Sequence, residues 1–253
     1  MKISSASTVY LTNQYQPKNQ QKMSVNFSAK NNIPRKIITA DKMKLPKVVE
    51  KTKIIKELNI PNYRMDNSTS ISGGTFSNRS ILDLSELKSC GIETIIDFRG
   101  EAQQSFADSC KRLGLNYFNF NLNNVINMTN PEYFIPKKNE RTMISDKFVS
   151  KLKEFFDLVN RGNAYIGCQF GVDRTNIGLV LNYLMNPKTE TAPTILTWPY
   201  EKKKMIANKN IKVVKKIIKR LTPEQKQYLG IPEDYSSILQ ERIYRLLDKN
   251  GLL

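Results

Sequence analysis

The sequence predicts an α/β fold: a partly parallel central sheet between helices, continued by a helical C-terminal part. Two observations carry that prediction. From about residue 61 onward, short β-rich apolar stretches alternate with segments whose apolar residues recur at helical spacing. Most of the helical segments also stop at a glycine or a proline, as helices do.

The elements follow in order. "STSISGGTFS" reads as a strand running into a Gly-Gly turn. "RSILDLSELKSCG" places Ile81, Leu82, Leu84, Leu87 and Cys90 in a short helix that ends at Gly91. "IETIIDFR" is a buried strand through Ile95, Ile96 and Phe98. "EAQQSFADSCKRLG" sets Ala102, Phe106, Cys110 and Leu113 on one helical face, stopped by Gly114. "LNYFNFNL" alternates apolar and polar residues, the mark of a strand. Residues 123–142 are polar and long enough to form a functional loop. Phe148, Leu152, Phe155, Phe156 and Val159 then predict a helix, "NAYIGC" a strand, and "TNIGLVLNYLMNP" a buried helix ended by Pro187.

Beyond residue 200, Ile206, Val213, Val214, Ile217, Ile218 and Leu221 share one face of a helix whose other face is lysine. Thr222, Pro223 and Gln225 form a capping-box start for a second helix, and "SSILQERIYRLLDKNG" predicts a third. At the other end, residues 1–33 are rich in Asn, Gln, Ser and Lys without a sustained period, which reads as disorder. Between Pro34 and Ile60 lysines mix with short aliphatic groups, fitting a short strand, a docked helix or a solvated linker, and Pro46 prevents one long helix. The expected organisation is a basic N-terminal segment 1–60, a domain 61–200 and a basic helical part 201–253 packed on it.

Composition narrows the chemistry. The chain has 253 residues, a net charge of +17, three cysteines and no histidine. Mechanisms built on Ser-His, Cys-His or His-bound metal are therefore excluded. The cysteines (Cys90, Cys110, Cys168) are spaced neither as a disulfide framework nor as a metal site. Charge is unevenly placed: +9 over 1–60, +1 over 61–200 and +7 over 201–253. The central domain is neutral and its flanks are basic, so nucleic acid is not favoured as a partner. The start lacks the apolar run of a secretory signal, so a cytoplasmic location is expected, with export by another route left open.

The chemistry concentrates in "YIGCQFGVDRTNIGL". A strand ends in Cys168, the chain turns through Gln169, Phe170, Gly171, Val172, Asp173 and Arg174, and a helix begins after that turn, from Thr175. A loop of this kind can aim the backbone amides of 169–174 at one phosphate, joined by the helix N-terminus. Gly171 permits positive φ, and Arg174 offers a planar fork to two oxygens. The same surroundings favour the Cys168 thiolate, and Thr175 can donate to the sulfur. Cys90 and Cys110 fall on apolar helix faces and read as core. Asp97 and Arg99, at the end of their strand, read as structural or as substrate contacts.

"CQFGVDRT" resembles the signature loop of cysteine-dependent protein tyrosine and dual-specificity phosphatases, and "IETIIDFRGE" is similar to a strand segment of their compact members. The resemblance spans roughly 61–190. It implies a four- or five-stranded sheet flanked by helices, no cofactor and no metal. By the same resemblance Cys168 is the nucleophile that forms a phosphocysteine, Arg174 binds the transferring phosphoryl group, and Thr175 assists breakdown of the intermediate. Asp173 is implied as the general acid, with Glu132, Glu140 and Asp146 as alternatives. Two positions depart: Gly167 stands where the family carries His, and Asn176 where it carries Gly. The expected function is therefore a protein tyrosine or dual-specificity phosphatase acting on phosphorylated proteins or peptides. The alternatives are a phosphoinositide or inositol polyphosphate phosphatase, drawn to an anionic membrane by its basic flanks, and a non-catalytic phosphate-binding protein.

Overall fold

Strands and helices alternate through the computed structural model, which describes residues 60–66, 70–75, 80–100, 104–136, 142–197 and 199–253. The expected segment 1–59, with Pro46, and the predicted face residue Ala102 lie outside the described residues. Strands β1 (Arg64–Met65) and β2 (Ile71–Gly73) come first. Helix α1 (Ser80–Ser89), β3 (Thr94–Asp97), α2 (Gln104–Arg112) and β4 (Asn116–Asn119) follow. Two short strands, β5 (Phe134–Ile135) and β6 (Met143–Ile144), pair antiparallel before α3 (Asp146–Arg161). Then come β7 (Ala164–Gly167) and α4 (Asp173–Met185). The chain closes with a 3₁₀ turn over Tyr200–Lys202 and helices α5 (Lys203–Arg220), α6 (Pro223–Leu229) and α7 (Tyr235–Lys249).

The main sheet has five strands in the order β1-β2-β7-β3-β4. β2, β7, β3 and β4 are parallel, and β1 runs antiparallel to β2 at one edge. Because successive side chains of a strand point to opposite faces, each strand feeds two cores. Ile95 and Tyr165 join Leu84, Leu87, Cys90 and Cys110 in one layer. Ile96, Ala164 and Ile166 join α3, α4 and the C-terminal helices in the other. A sheet covered on both faces is what parallel pairing requires. In α1 only the later turns are covered: Leu84 and Leu87 are buried, whereas Ile81 and Leu82 are exposed.

Close packing on the larger face depends on one glycine. A Cβ at Gly178 of α4 would meet the Phe98 ring at 2.2 Å, so only glycine lets the helix lie this near the sheet. Phe98 in turn stands edge-on to Phe155 of α3, with ring centroids 5.3 Å apart.

The stretch 123–142, expected as a polar loop long enough to be functional, is anchored where it is described. Val125, Tyr133, Phe134 and Ile144 are buried in the larger core. Three apolar anchors inside a polar sequence, with Ile144 just beyond it, suffice to hold it, because each buried side chain contributes about 1.5–3 kcal/mol. On α5, Ala207, Ile211, Val213, Val214 and Ile217 are buried. Lys204, Lys212, Lys215, Lys216 and Lys219 are exposed. Thr222 and Gln225 make the reciprocal capping box that opens α6. No helix among the described residues is long and apolar enough to cross a membrane.

Candidate active site

The strand register brings three strand ends together: Gly167 pairs with Gly73 of β2 on one side and with Asp97 of β3 on the other. Functional groups of open α/β sheets gather at such carboxyl ends. Cys168 follows Gly167 directly and is 3% exposed. The chain then turns through 169–172 and enters α4 at Asp173. Gly171 has φ +70°, and a Cβ there would lie 2.3 Å from the Gly73 carbonyl carbon. Both its conformation and its neighbours demand glycine.

The orientation of the turn is fixed from behind. The Gln169 carbonyl accepts from the Thr75 amide and hydroxyl, both at 3.0 Å. The Phe170 carbonyl accepts from Asn62 Nδ2 at 2.9 Å, and the Gly171 carbonyl from Arg64 Nη1 at 2.9 Å. In a planar trans peptide the following N–H points opposite to its carbonyl. The amides of Phe170, Gly171 and Val172 are therefore turned to the other side of the loop. Among the described residues none of these three donates to a backbone carbonyl. Free amides beside a helix N-terminus make an anion-binding arrangement.

The remaining loop residues are placed as follows. Gln169 and Phe170 are exposed and Val172 is buried. Asp173 is exposed at the first position of α4 and forms no ion pair among the described residues. Arg174 is half-buried, and its Nη1 donates to Asn123 Oδ1 at 3.0 Å. Thr175 is fully buried, and its hydroxyl has no hydrogen-bond partner among the described residues.

Of the alternative acids, Glu132 is held by Lys147 at 2.7 Å. Asp146 accepts from Gln225 Nε2 at 2.9 Å, which ties α3 to α6. Glu140 lies outside the described residues.

Asp97 and Arg99 bind each other. Arg99 Nε reaches both carboxylate oxygens at 2.9 Å, Nη2 reaches one at 2.7 Å, and the Tyr117 hydroxyl donates at 2.9 Å. Burial lowers the Arg99 pKa, but hydrogen bonding and charge from Asp97 raise it further, leaving a net upward shift. The pair shares a small cleft with Cys168, Thr75 and Phe106. A larger cavity of about 250 Å³, bordered by Asp66, Asn160, Asn182 and Lys188, does not include the thiol. Cys90 and Cys110 are buried and not joined in a disulfide, and burial pushes Cys110 up to about 11.

Beneath the loop lies a group that the sequence did not disclose. The Arg64 side chain is 9% exposed. Besides the Gly171 carbonyl, it donates from Nη1 to the Asn62 carbonyl and from Nη2 to Asn176 Oδ1, both at 3.2 Å. Asn176 also brackets the Leu196 amide and carbonyl, so a side chain here performs a tie that glycine would forgo. Asp66 sits 3.8 Å from Arg64 Nε and accepts from Ser72. Burial raises the Asp66 carboxyl to about 6, against the pull of Arg64. At Gly167 a Cβ would meet the Tyr165 ring at 3.0 Å and the Gly73 carbonyl at 3.1 Å. A side chain before Cys168 would therefore need Tyr165 or the Gly73 peptide to shift by a few tenths of an ångström.

A mixed five-stranded sheet with helices on both faces thus carries a Cys-to-Arg turn at its carboxyl edge. No protein-family model matches the chain, and no curated protein matches it. Among solved structures it is similar to a DUF442 candidate phosphatase from Shewanella putrefaciens, at 13% identity over 76% of this chain and 98% of that one, TM-score 0.38. It is also similar to the core catalytic domain of the PP-IP phosphatase SIW14 from S. cerevisiae, at 14% identity over 76% and 94%, TM-score 0.34. A third is PTPMT1, at 10% identity over 72% and 99%, TM-score 0.37.

Proposed function

We propose that the chain is a phosphomonoester hydrolase that works through a phosphocysteine. The observation that carries this reading is the row of three loop carbonyls held outward by Thr75, Asn62 and Arg64, which turns three amides toward one side beside Cys168. Such amides, with the α4 N-terminus and the Arg174 fork, stabilise the charge on a phosphoryl group as it transfers.

The Cys168 thiolate attacks phosphorus, forming an S–P bond as the ester P–O bond breaks. Asp173, exposed at the mouth of the loop, gives the departing oxygen its proton. Water then attacks phosphorus, its proton passes to the Asp173 carboxylate, and the S–P bond breaks to restore the thiolate and release phosphate. The buried, unpartnered Thr175 hydroxyl is a donor available to the sulfur as it leaves.

Phosphorylated proteins or peptides are the substrates favoured, because the variable loop positions Gln169, Phe170 and Val172 are uncharged. The exposed lysines of α5 favour a second reading, an inositol phosphate or phosphoinositide substrate on an anionic surface. Turnover of para-nitrophenyl phosphate, abolished by Cys168→Ser, tests the chemistry; no turnover by the native chain would leave phosphate binding alone. Phosphotyrosine peptides compared with phosphoinositide vesicles separate the substrates. Asp173→Asn should lower kcat/KM, which reports the first step, far more on alkyl phosphates than on para-nitrophenyl phosphate, whose leaving group needs no proton. Equal losses on both would assign the proton to another group.

A further inference from the structure

A thiolate at a site only 3% exposed needs positive charge nearby, since burial alone favours the neutral thiol. Arg99 lines the same cleft as Cys168, Arg174 follows the cysteine six residues on, and Arg64 lies under the turn that joins Cys168 to Arg174; the first two are already committed. Arg99 is matched by the Asp97 carboxylate. Arg174 is half-buried at the solvent side, where the substrate's own charge would occupy it. Position 167 is glycine and supplies no charge. Arg64 remains, buried beneath the turn.

We propose that Arg64 is a positioning residue for this site: its fork holds the Gly171 peptide outward, and its charge sustains the Cys168 thiolate from below. The inference rests on the reading of Cys168 as the nucleophile. Both Nη atoms face the loop, one on the Gly171 carbonyl and one on Asn176, whereas Asp66 lies behind on the Nε side at 3.8 Å. The pair is thus an oriented dipole with its positive end toward the sulfur-bearing loop. Burial pulls the Arg64 guanidinium below its ordinary value, and the negative forms of Asp66, Cys168 and Tyr165 pull it back, in that order. The titratable and charged groups around the thiol are then Arg64 on β1 and Asp66 just after it, Tyr165 on β7, Asp97 at the end of β3 with Arg99 beyond it, and Asp173 and Arg174 at the start of α4.

The two partners therefore act on the sulfur with opposite sign, which separates an electrostatic role from mere support. The test is the pH profile of Cys168 alkylation by iodoacetamide, mapped by peptide mass so that Cys90 and Cys110 do not contribute. Arg64→Met should raise the thiol pKa by about one to two units, and Asp66→Asn should lower it. Arg64→Lys should leave the thiol pKa near the native value but weaken inorganic phosphate as a competitive inhibitor, because the charge is kept and the fork is lost. Thermal unfolding reports whether each variant folds; if Arg64→Met does not, Arg64→Lys and Asp66→Asn still decide. Unchanged profiles, or shifts of the same sign in Arg64→Met and Asp66→Asn, would overturn the inference. A native Cys168 with an ordinary thiol profile near ~8.5 would instead sink the nucleophile reading itself.

Discussion

Gly171→Ala is the sharpest perturbation the loop offers. The new Cβ would stand 2.3 Å from the Gly73 carbonyl carbon, 2.5 Å from the Gly74 nitrogen and 2.6 Å from the Gly73 oxygen. All three are backbone atoms, and ordinary carbon contacts begin near ~3.5 Å, so the turn must retreat by about 1 Å. Holding φ at +70° adds about 1–2 kcal/mol for a residue with a side chain. A retreat breaks some of the bonds from Thr75, Asn62 and Arg64, each worth about 1 kcal/mol net. Misplacement of reacting groups by about 1 Å lowers the rate by about 10²-fold. The expected result is kcat/KM on aryl phosphates down by about 10²-fold, with the melting temperature falling by several degrees. Gly171→Asn separates the causes: asparagine tolerates positive φ but brings the same Cβ, so it should be impaired as severely. A Gly171→Ala protein with kcat/KM and phosphate inhibition within twofold of native would refute the geometry argued for the turn.

Arg174→Lys keeps the charge but not the planar fork, and should cost about 10²–10³ in kcat with Cys168 alkylation still rapid at neutral pH. Gly178→Val drives a branched side chain into the Phe98 ring and should destabilise the fold by at least about 1–3 kcal/mol in urea unfolding, partly relieved by Phe98→Ala. Asp66 sets a pH dependence of stability. Its folded-state pKa of about 6 lies above its ordinary 3.8, so the folded protein holds the proton longer than the unfolded chain. Its contribution to stability is full below pH 3.8 and declines as pH rises toward 6. Asp66→Asn should flatten that decline in urea midpoints measured from pH 4 to 7.

The loop was legible because its chemistry is local: Cys168, Gly171, Arg174 and Thr175 lie within eight residues, and the flanking strand and helix announce themselves by apolar pattern. The two-sided sheet was legible for the same reason, through runs such as Ile95-Ile96. What escaped depends on distant contacts. Asn62, Arg64 and Thr75 reach the loop across 108, 107 and 94 residues, and a two-residue strand such as β1 has no period to detect. Asn123 gave no signal either, since asparagine is ordinary in turns, and Asn176 stood out only as a departure from glycine, not as the partner of Arg64 and Leu196. The anchors of 123–142 were hidden by the polar residues around them, because burial follows the few apolar side chains rather than the average.

β1 contributes two pairings to the sheet, Arg64 with Ser72 and Met65 with Ile71. It nevertheless carries the guanidinium that braces the anion-facing turn. Detaching this margin would leave the sheet and both cores standing yet slacken the turn after Cys168. Loss of activity should therefore precede global melting on heating, with the first protease cuts falling near residues 62–66 while α4 stays protected.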